Sequence, residues 1–279
     1  MAERPGQNLK QSMLTGLMIQ PNRKKNILML PMLLSLTILA GCASEESPSG
    51  EPTDTGMNEP QTEYRDDVTV IGEMRNVMWN GELAGIIDLQ TLSGREHLYG
   101  LGPVEYLRGE ILILDGISYK STVVSDTEMH VETTFDMKAP FFGYATIAEW
   151  TEHDLPASVQ TIPQLEEYLA EAGDSLSHPF MFKLLGMVDE ALIHIVNLPE
   201  GTEVSSPAEA HQGQIDYPLQ NEKVDILGFY STEHQRIFTH HDSFVHMHLI
   251  TADRQKMGHL DEVKFRGGTI TLSLPVQAP

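Results

Sequence analysis

Residues 244–259 read FVHMHLITADRQKMGH and place three histidines within sixteen positions. In a β-strand, residues two apart project from the same face, about 6.7 Å apart along the chain. His246 and His248 are therefore predicted to point to one side of a strand. The polar segment 251–258 is typical of a hairpin connection, after which His259 opens the next strand beside the first two histidines.

Three imidazoles that converge from two neighbouring strands leave a fourth coordination position open. This arrangement is typical of a catalytic zinc site rather than a closed structural one. Neutral imidazole also suits copper, iron and nickel, so the ligand type alone does not identify the metal. The alternative is that these are ordinary histidines exposed to water, and the nearby pair His240-His241 weakens the metal interpretation. Spacing alone leaves both interpretations open.

The composition limits the class of partner. The chain has 279 residues, enough for one large domain or two small ones, and a formal net charge of −22. Such a negative surface argues against nucleic acid, because the phosphate backbone is bound by Lys and Arg. It also argues against adsorption to anionic lipid headgroups through a basic face. Cys42 is the one cysteine, so no disulfide can form within the chain.

The N-terminal region has the features of an export signal. The basic cluster Arg23–Lys25 precedes an apolar run over residues 27–40, and LAGC follows at residues 39–42. LAGC resembles the lipobox of bacterial lipoproteins, in which the cysteine becomes the lipidated first residue of the mature protein. We therefore predict a lipoprotein signal peptide with an N-terminal extension over residues 1–41, and lipidation of Cys42.

A transmembrane helix is the alternative interpretation of the apolar run. Pro31 interrupts that run, which is also shorter than the roughly 20 residues that a membrane span needs. The next segment, residues 42–63, is rich in Ser, Glu and Pro and is predicted to be a disordered acidic tether. The folded domain is predicted over residues 64–279. Together these features predict a protein of the cell envelope, lipid-anchored outside the cytoplasmic membrane.

The folded region mixes strand and helix patterns. The dipeptide Asp115-Gly116 predicts a tight hairpin turn within an alternating segment. The clearest helix pattern covers residues 161–174, with Thr161 as its cap. The polar segment 205–221 is predicted to be a loop. Extended structure is predicted for residues 68–74, 110–122, 128–136, 141–154, 179–199, 223–231, 243–251 and 260–276.

These elements predict an α+β fold with mixed or antiparallel β-sheets in two packed subdomains and few helices. The first subdomain, about residues 64–175, contains the N-terminal sheet. The second, residues 176–279, contains a small sheet that carries the histidines. The metal site is expected in the cleft between the two.

Two separate motif blocks resemble bacterial acetolactate decarboxylases. LYGLGPVEYLRGEILILDGISYKS, residues 98–121, is similar to the family's FGIGTFDGLDGELVVLDGKVYQA, and APFF, residues 139–142, is similar to its TPFA. The similarity runs from about residue 75 to 275. Further on, the family has a Gly-Phe strand, then H-x-H-F, then (S/T)-x-D-R-x-x-G-G-H, in register with Gly228-Phe229, His246, His248, Asp253-Arg254, Gly258 and His259.

The resemblance implies a zinc enzyme. It implies that His246, His248 and His259 hold Zn²⁺, and that the protein converts 2-acetolactate, or a related 2-hydroxy-3-keto acid, to acetoin and carbon dioxide. In this chemistry zinc chelates the hydroxyl and ketone oxygens and stabilises the enediolate that loss of carbon dioxide leaves. Glu110 matches the family's active-site glutamate, which can hold or relay a proton. Without the surrounding motif, Glu110 would be interpreted as a solvent-facing strand residue.

Three departures from the family pattern concern the substrate machinery. Pro103 stands where the family motif has a threonine. The family's active-site arginine has no counterpart in LIHIVNLPEG, residues 192–201, where Asn197 or Leu198 lies nearest. The loss removes a bidentate cation suited to a substrate carboxylate. We also expect no counterpart of the family's C-terminal tail, which supplies a second glutamate.

Other side chains are candidates to compensate. We place Asn197 and Arg254 with Glu110 among the candidate catalytic residues, although Arg254 also fits a structural role in the hairpin turn. Lys183 and His194 lie near in the sequence pattern. His194 is interpreted as an ordinary strand histidine rather than as a replacement acid.

Three functions from different classes remain open. The first is the zinc-dependent decarboxylase, with a small 2-hydroxy-3-keto acid as partner, no nucleic acid, and membrane contact only through the lipid anchor. The second is a non-catalytic zinc-binding lipoprotein that keeps the fold. The third is a cupin-like metal dioxygenase. Such an enzyme requires a carboxylate ligand a few residues after the H-x-H motif, and Glu262 is badly placed to supply it. A homodimer is an open alternative to a monomer.

Overall fold

A computed structural model describes residues 67–276, except residues 178, 236, 238 and 240–242. The predicted signal peptide, Cys42, the tether and His240-His241 therefore lie outside the described residues. Among the residues that are described, no helix is both long and apolar enough to cross a membrane.

The first half of the domain is built around one antiparallel sheet. Its described residues form the strands β1 (Thr69–Ile71), β2 (Ile87–Asp88), β3 (Leu98–Pro103), β4 (Glu110–Leu114), β5 (Ile117–Val123), β6 (Met129–Thr133), β7 (Lys138–Ala139) and β8 (Phe142–Thr146). Six of these strands form the sheet, in the spatial order β1-β8-β3-β4-β5-β6, and β2 pairs with β7.

The predicted hairpin at Asp115-Gly116 is confirmed. Leu114 pairs with Ile117, so the turn between β4 and β5 has two residues. Asp115 and Gly116 have φ values of 49° and 77°, the left-handed backbone that such short hairpin turns require. This turn fixes the register of β4 and thereby the position of Glu110 at its start.

The second sheet also has six strands, so it is not the small sheet that the sequence predicted. Its spatial order is β11-β12-β13-β10-β14-β9, and β10 also pairs with β11. The strands β10 to β13 therefore form a closed ring of pairings. The strands are β9 (Trp150–Asp154), β10 (Phe180–Ile195), β11 (Ile215–Tyr230), β12 (Val245–Thr251), β13 (Met257–Phe265) and β14 (Thr271–Pro275).

Two boundaries differ from the sequence prediction. The strand β9 pairs with β14, so the change of sheet falls between β8 and β9 rather than near residue 175. The segment 205–221 is not a loop, because β11 begins at Ile215 and pairs with the end of β10. Tyr217 and Leu219 are buried, which gives this segment the alternation of a half-buried strand.

The described residues also form three α-helices: α1 (Met74–Asn80), α2 (Ile162–Ala172) and α3 (Pro207–Ala210). The helix predicted at 161–174 is confirmed as α2, and the side chain of Gln164 accepts the backbone N–H of Thr161. The extended segment predicted at 68–74 ends at Ile71, because the chain turns into α1.

The two sheets pack against each other through a shared apolar core. Leu101 and Leu112 of the first sheet lie in one buried cluster with Leu227, Phe229 and Ile250 of the second. A larger cluster fills the other side of the second sheet and includes Leu165 and Leu169 of α2. The predicted class, antiparallel sheets in two packed parts with few helices, is confirmed.

Candidate metal centre

The histidines lie in a row across three neighbouring strands. His248 of β12 lies opposite His259 of β13, and His259 lies opposite His194 of β10. Residues opposite each other in a sheet project from the same face. His246, two residues before His248, shares that face, while Met247 belongs to the apolar core behind it. The period-two prediction for this stretch is confirmed.

His246, His248 and His259 are buried and converge. One ring nitrogen from each lies within 4.8 Å of the corresponding nitrogen of the other two. The ring centroids are 5.3 Å apart for His246 and His248, 4.9 Å for His246 and His259, and 5.5 Å for His248 and His259. Three imidazoles at this spacing can reach one ion.

His248 shows best that the cluster fits a metal. Its Nδ1–H donates to the backbone carbonyl of Ile111 at 2.9 Å, because a carbonyl oxygen can only accept. The neutral ring therefore carries its free lone pair on Nε2. This atom is fully buried and has no hydrogen-bond partner among the described residues. Burial lowers the pKa of His248 to about 3, which keeps the ring neutral. A neutral imidazole fixed through its other nitrogen is the usual form of a metal ligand.

Glu110 lies against this cluster, at the first position of β4. Its Oε2 is 3.6 Å from Nε2 of His248, and its Oε1 accepts the backbone N–H of Val196 at 3.2 Å. The side chain is buried, and burial raises the pKa of its carboxyl to about 8. The carboxyl group can therefore hold a proton at neutral pH next to the candidate metal ligands.

His194 lies on the same face, although the sequence indicated an ordinary strand histidine. It is 5% exposed, and its Nδ1 is 2.7 Å from Oδ2 of Asp261. Burial lowers the pKa of His194, but the hydrogen bond and negative charge of Asp261 outweigh burial and leave the pKa raised. The other oxygen of Asp261 lies 3.9 Å from Nε2 of His259, so this carboxylate adjoins both rings.

A bulge explains why this contact could not be seen in the sequence. The pairing of β10 with β13 shifts between Leu192 and Ile193, so that Asp261 has no directly opposite residue. Bulges occur next to active sites, where they change the direction of a side chain. In the sequence, the one notable feature of His194 was its place in an apolar strand. Most buried histidines have that feature, so it does not indicate a functional role.

A cavity of about 200 Å³ opens onto the histidines from the side of α1 and α3. Its polar lining comes from Glu110, His194, His211, His246 and His259, and no Lys or Arg is among the described residues that line it. A larger open groove of about 900 Å³ lies elsewhere and contains none of these histidines. The apolar lining of the smaller cavity consists of Met74, Met78, Trp79, Pro103, Leu107, Phe141 and Pro207.

The structure does not bring the other two candidate catalytic residues to this cavity. Asn197 follows the end of β10 and is not part of the cavity lining. Arg254 occupies the turn between β12 and β13, where its guanidinium pairs with Asp225 and lies 5.7 Å from the ring of Tyr119. This placement fits the structural role for Arg254, and a catalytic role for either residue stays a prediction.

Lys183 is also held away from the site. Its amine lies 4.2 Å from the ring centroid of Trp150 and 5.2 Å from that of Tyr99. Burial lowers the pKa of Lys183. Lys183 is therefore a packed cation between aromatic rings and does not replace the missing arginine.

Comparisons with known proteins point to one family. The family model for alpha-acetolactate decarboxylase matches residues 73–277. The chain is 24% identical to the alpha-acetolactate decarboxylase of Brevibacillus brevis over 199 residues, which cover 71% of this chain and 67% of that protein. It is 25% identical to the enzyme of the same name from Lactococcus lactis subsp. cremoris strain MG1363 over 190 residues, which cover 64% and 75% of the two chains.

Solved structures show the same fold. The alpha-acetolactate decarboxylase of Bacillus subtilis strain 168 superposes with a TM-score of 0.62 at 20% identity, over 75% of this chain and 86% of that one. A protein of unknown function similar to alpha-acetolactate decarboxylase, from Staphylococcus aureus, superposes with a TM-score of 0.58 at 16% identity, over 74% and 84%. Because the family model spans the chain from before α1 to beyond β14, this protein belongs to the alpha-acetolactate decarboxylase family.

Proposed function

We propose that the chain is a zinc-dependent decarboxylase that converts 2-acetolactate, or a related 2-hydroxy-3-keto acid, to acetoin and carbon dioxide. Membership of the family supports the reaction class. The three converging histidines and the adjoining Glu110 support the site. The observation that carries the proposal is the buried Nε2 of His248, which has no hydrogen-bond partner within the described residues and belongs to the converging cluster. A buried polar atom without a partner is costly unless a ligand satisfies it.

Zinc fits this donor set. Three imidazole ligands with one open position are the arrangement of catalytic zinc sites. When bound, the ion supplies a Lewis acid for the negative charge that develops on a substrate oxygen as carbon dioxide leaves. The carboxylate of Asp261 lies beside His259 and partly balances the added charge.

The residues of this chain have separate tasks in the proposed reaction. Glu110 holds a proton next to the site and can deliver it to the carbon atom that loses its carboxyl group. The peptide N–H of Val196 orients that carboxyl group. The small cavity and its apolar wall of Met74, Met78 and Phe141 exclude bulk water. Exclusion of water strengthens the electrostatic interactions within the site.

An assay of acetoin release from racemic 2-acetolactate tests the proposal. The purified protein is compared as isolated, after removal of metal with a chelator, and after zinc is restored. We expect release that chelation abolishes and zinc restores. A zinc-loaded protein that releases no acetoin would contradict the proposed reaction.

A non-catalytic zinc-binding protein is the second candidate. The lack of Lys and Arg among the described cavity residues favours it, since no permanent cation faces the substrate. Under this alternative the protein binds zinc tightly, with the same three histidines, but turns over none of a panel of 2-hydroxy-3-keto acids.

We also propose that the protein is anchored by lipid on Cys42 in the cell envelope. The basic cluster, the apolar run and LAGC in the sequence support this location. Substitution of Cys42 by Ala should release the protein from the membrane fraction. A wild-type protein that is already free of membranes would contradict the anchor. A homodimer stays a prediction.

A further inference from the structure

His194 and Asp261 form a polar pair beside the three-histidine cluster. The ring of His194 lies 4.7 Å from that of His259, centroid to centroid, and forms part of the cavity wall. The ring of His211 stands nearly perpendicular to His194, at 84° and 6.1 Å. His211 is itself fixed, because its Nδ1–H donates to the carbonyl of Pro207 at 2.6 Å. His194 is therefore held between two neighbouring imidazoles.

One ring nitrogen of His194 already has a hydrogen-bond partner within the protein. Nδ1–H donates to Oδ2 of Asp261, since an ionised carboxylate can only accept. The atom that remains is Nε2, and no hydrogen bond from it is found to any described residue. The ring is almost fully buried yet lines the cavity, so Nε2 is available to a molecule bound there.

The cavity offers little else to a carboxyl group. Its other polar groups are the candidate metal ligands, the carboxyl of Glu110, His211 and the indole N–H of Trp79. A substrate carboxylate would lose its hydration against the apolar wall of the cavity. His194 also lines the cavity, and its hydrogen bond to the carboxylate of Asp261 fixes the orientation of its ring.

We propose that His194 contacts the carboxyl group of the substrate through Nε2, and that Asp261 is the positioning residue that orients His194. The pair thus supplies the carboxylate-binding function for which the sequence offers no arginine. The class of substrate, a small 2-hydroxy acid, rests on the proposed function. The contact itself is assigned from the geometry of this chain.

Two unreactive probes test the contact without any turnover. 2,3-Dihydroxy-2-methylbutanoate has two hydroxyl oxygens that zinc can chelate and a separate carboxylate, and it is not a β-keto acid. 3-Hydroxy-3-methylbutan-2-one is a neutral ketone that keeps two chelating oxygens and has a methyl group in place of the carboxylate. Calorimetric titration of the zinc-loaded protein with each probe measures both affinities. Because neither probe loses carbon dioxide, the result does not depend on whether the protein turns over 2-acetolactate.

We expect His194→Phe to weaken binding of the hydroxy acid about tenfold or more, the loss of one hydrogen bond to a charged group. Binding of the neutral ketone should be unchanged. Asp261→Asn should weaken acid binding by a smaller factor and leave ketone binding unchanged. The matched control is His153→Phe, which changes an exposed histidine on β9 and should alter neither affinity.

Metal content is measured for every variant, since His194 touches His259. If His194→Phe does not retain zinc, His194→Gln serves instead. Its amide keeps one N–H donor, so affinity for the acid should fall by less than tenfold, while affinity for the ketone should stay unchanged. A zinc-loaded His194 variant that binds the acid as tightly as wild type would overturn the proposal. So would an equal loss of affinity for both probes.

Discussion

At the scale of single residues, the site depends on three histidines whose rings converge, with one ring nitrogen of each within 4.8 Å of the others. His248 is the clearest case, because the carbonyl of Ile111 fixes one nitrogen and leaves the other buried without a hydrogen-bond partner among the described residues. His248 on β12 lies directly opposite His259 on β13. The whole donor set therefore depends on the register of β12 and β13.

Replacement of His248 by Ala should remove zinc binding. Loss of an outer-shell contact alone typically costs 10–100-fold in metal affinity, so loss of a direct ligand should cost at least about 100-fold. Zinc content after dialysis, measured by elemental analysis, checks this. The exposed His153 on β9 provides the control, and His153→Ala should keep the metal. Equal zinc in both variants would show that the ion sits elsewhere.

Glu110 should make the stability of the metal-free protein depend on pH. Burial raises its pKa from 4.5 to about 8, so the folded state keeps a proton that the unfolded state releases between these values. The free energy of unfolding should therefore fall as pH rises from about 4.5 to 8. Urea unfolding of the metal-free protein at several pH values measures this slope. Glu110→Gln should flatten it, and an unchanged slope in that variant would contradict the burial of an unpaired carboxyl.

Residue-level prediction succeeded where the local pattern carried the information. His246 and His248 follow from the period of a strand, and His259 follows from one hairpin. Glu110 came from a motif resemblance, because nothing in its local sequence shows that the second sheet covers it. The sequence did not show the contact of His194 with Asp261, since that contact depends on a bulge between strands far apart in the chain.

At the scale of elements, the close approach of β10 and β13 positions the row of histidines. A Cβ atom built on Gly258 would lie 2.5 Å from the backbone oxygen of His194, so only glycine fits there without a shift. The strands can therefore approach at the level of His259. Close backbone approach is a common reason for glycine within a strand.

Gly258→Ala should move the two strands apart. We expect the free energy of unfolding to fall by about 1–3 kcal/mol, as for other overpacked sites, and zinc affinity to fall as well. Gly94→Ala is the matched control. Gly94 has a φ of 79° but open space around its Cβ position, so that change should cost stability without affecting zinc. Chemical unfolding and zinc titration on both variants separate the two effects, and unchanged zinc affinity in Gly258→Ala would argue against this role.

Elements were predictable where turn residues or caps mark them. Asp115-Gly116 identified the β4–β5 hairpin, and the cap at Thr161 identified α2. The start of β11 was missed because Asp216, Pro218 and Gln220 give that half of the strand a polar composition. Its pairing with the end of β10 is what makes it a strand.

At the scale of the whole molecule, the two sheets enclose the site between them. The first sheet contributes Glu110 and the carbonyl of Ile111, while the second contributes the histidines. The site therefore lies in the cleft between the two packed sheets, as predicted. The fold class was predictable from the strand patterns and the motif blocks. The closed ring of β10 to β13 was not, because long-range pairings leave no local signal.

Lys183 should help to hold the two sheets together. It belongs to the second sheet, and its amine lies over the ring of Tyr99 from the first sheet as well as over Trp150. Lys183→Ala should lower the free energy of unfolding by about 1–2 kcal/mol, through loss of the cation–π contacts and of the packed aliphatic stem. Urea unfolding measures this. Lys264→Ala, at an exposed position on β13, should change stability much less, and equal losses would contradict the role of the aromatic contacts.

The most direct test of the central claim is anomalous X-ray scattering at the zinc edge from crystals of the zinc-loaded protein. We predict one strong peak in the cavity, about 2.0–2.1 Å from one ring nitrogen each of His246, His248 and His259. A zinc-loaded crystal with no peak at this position, or with these three rings turned away from the bound ion, would contradict the account.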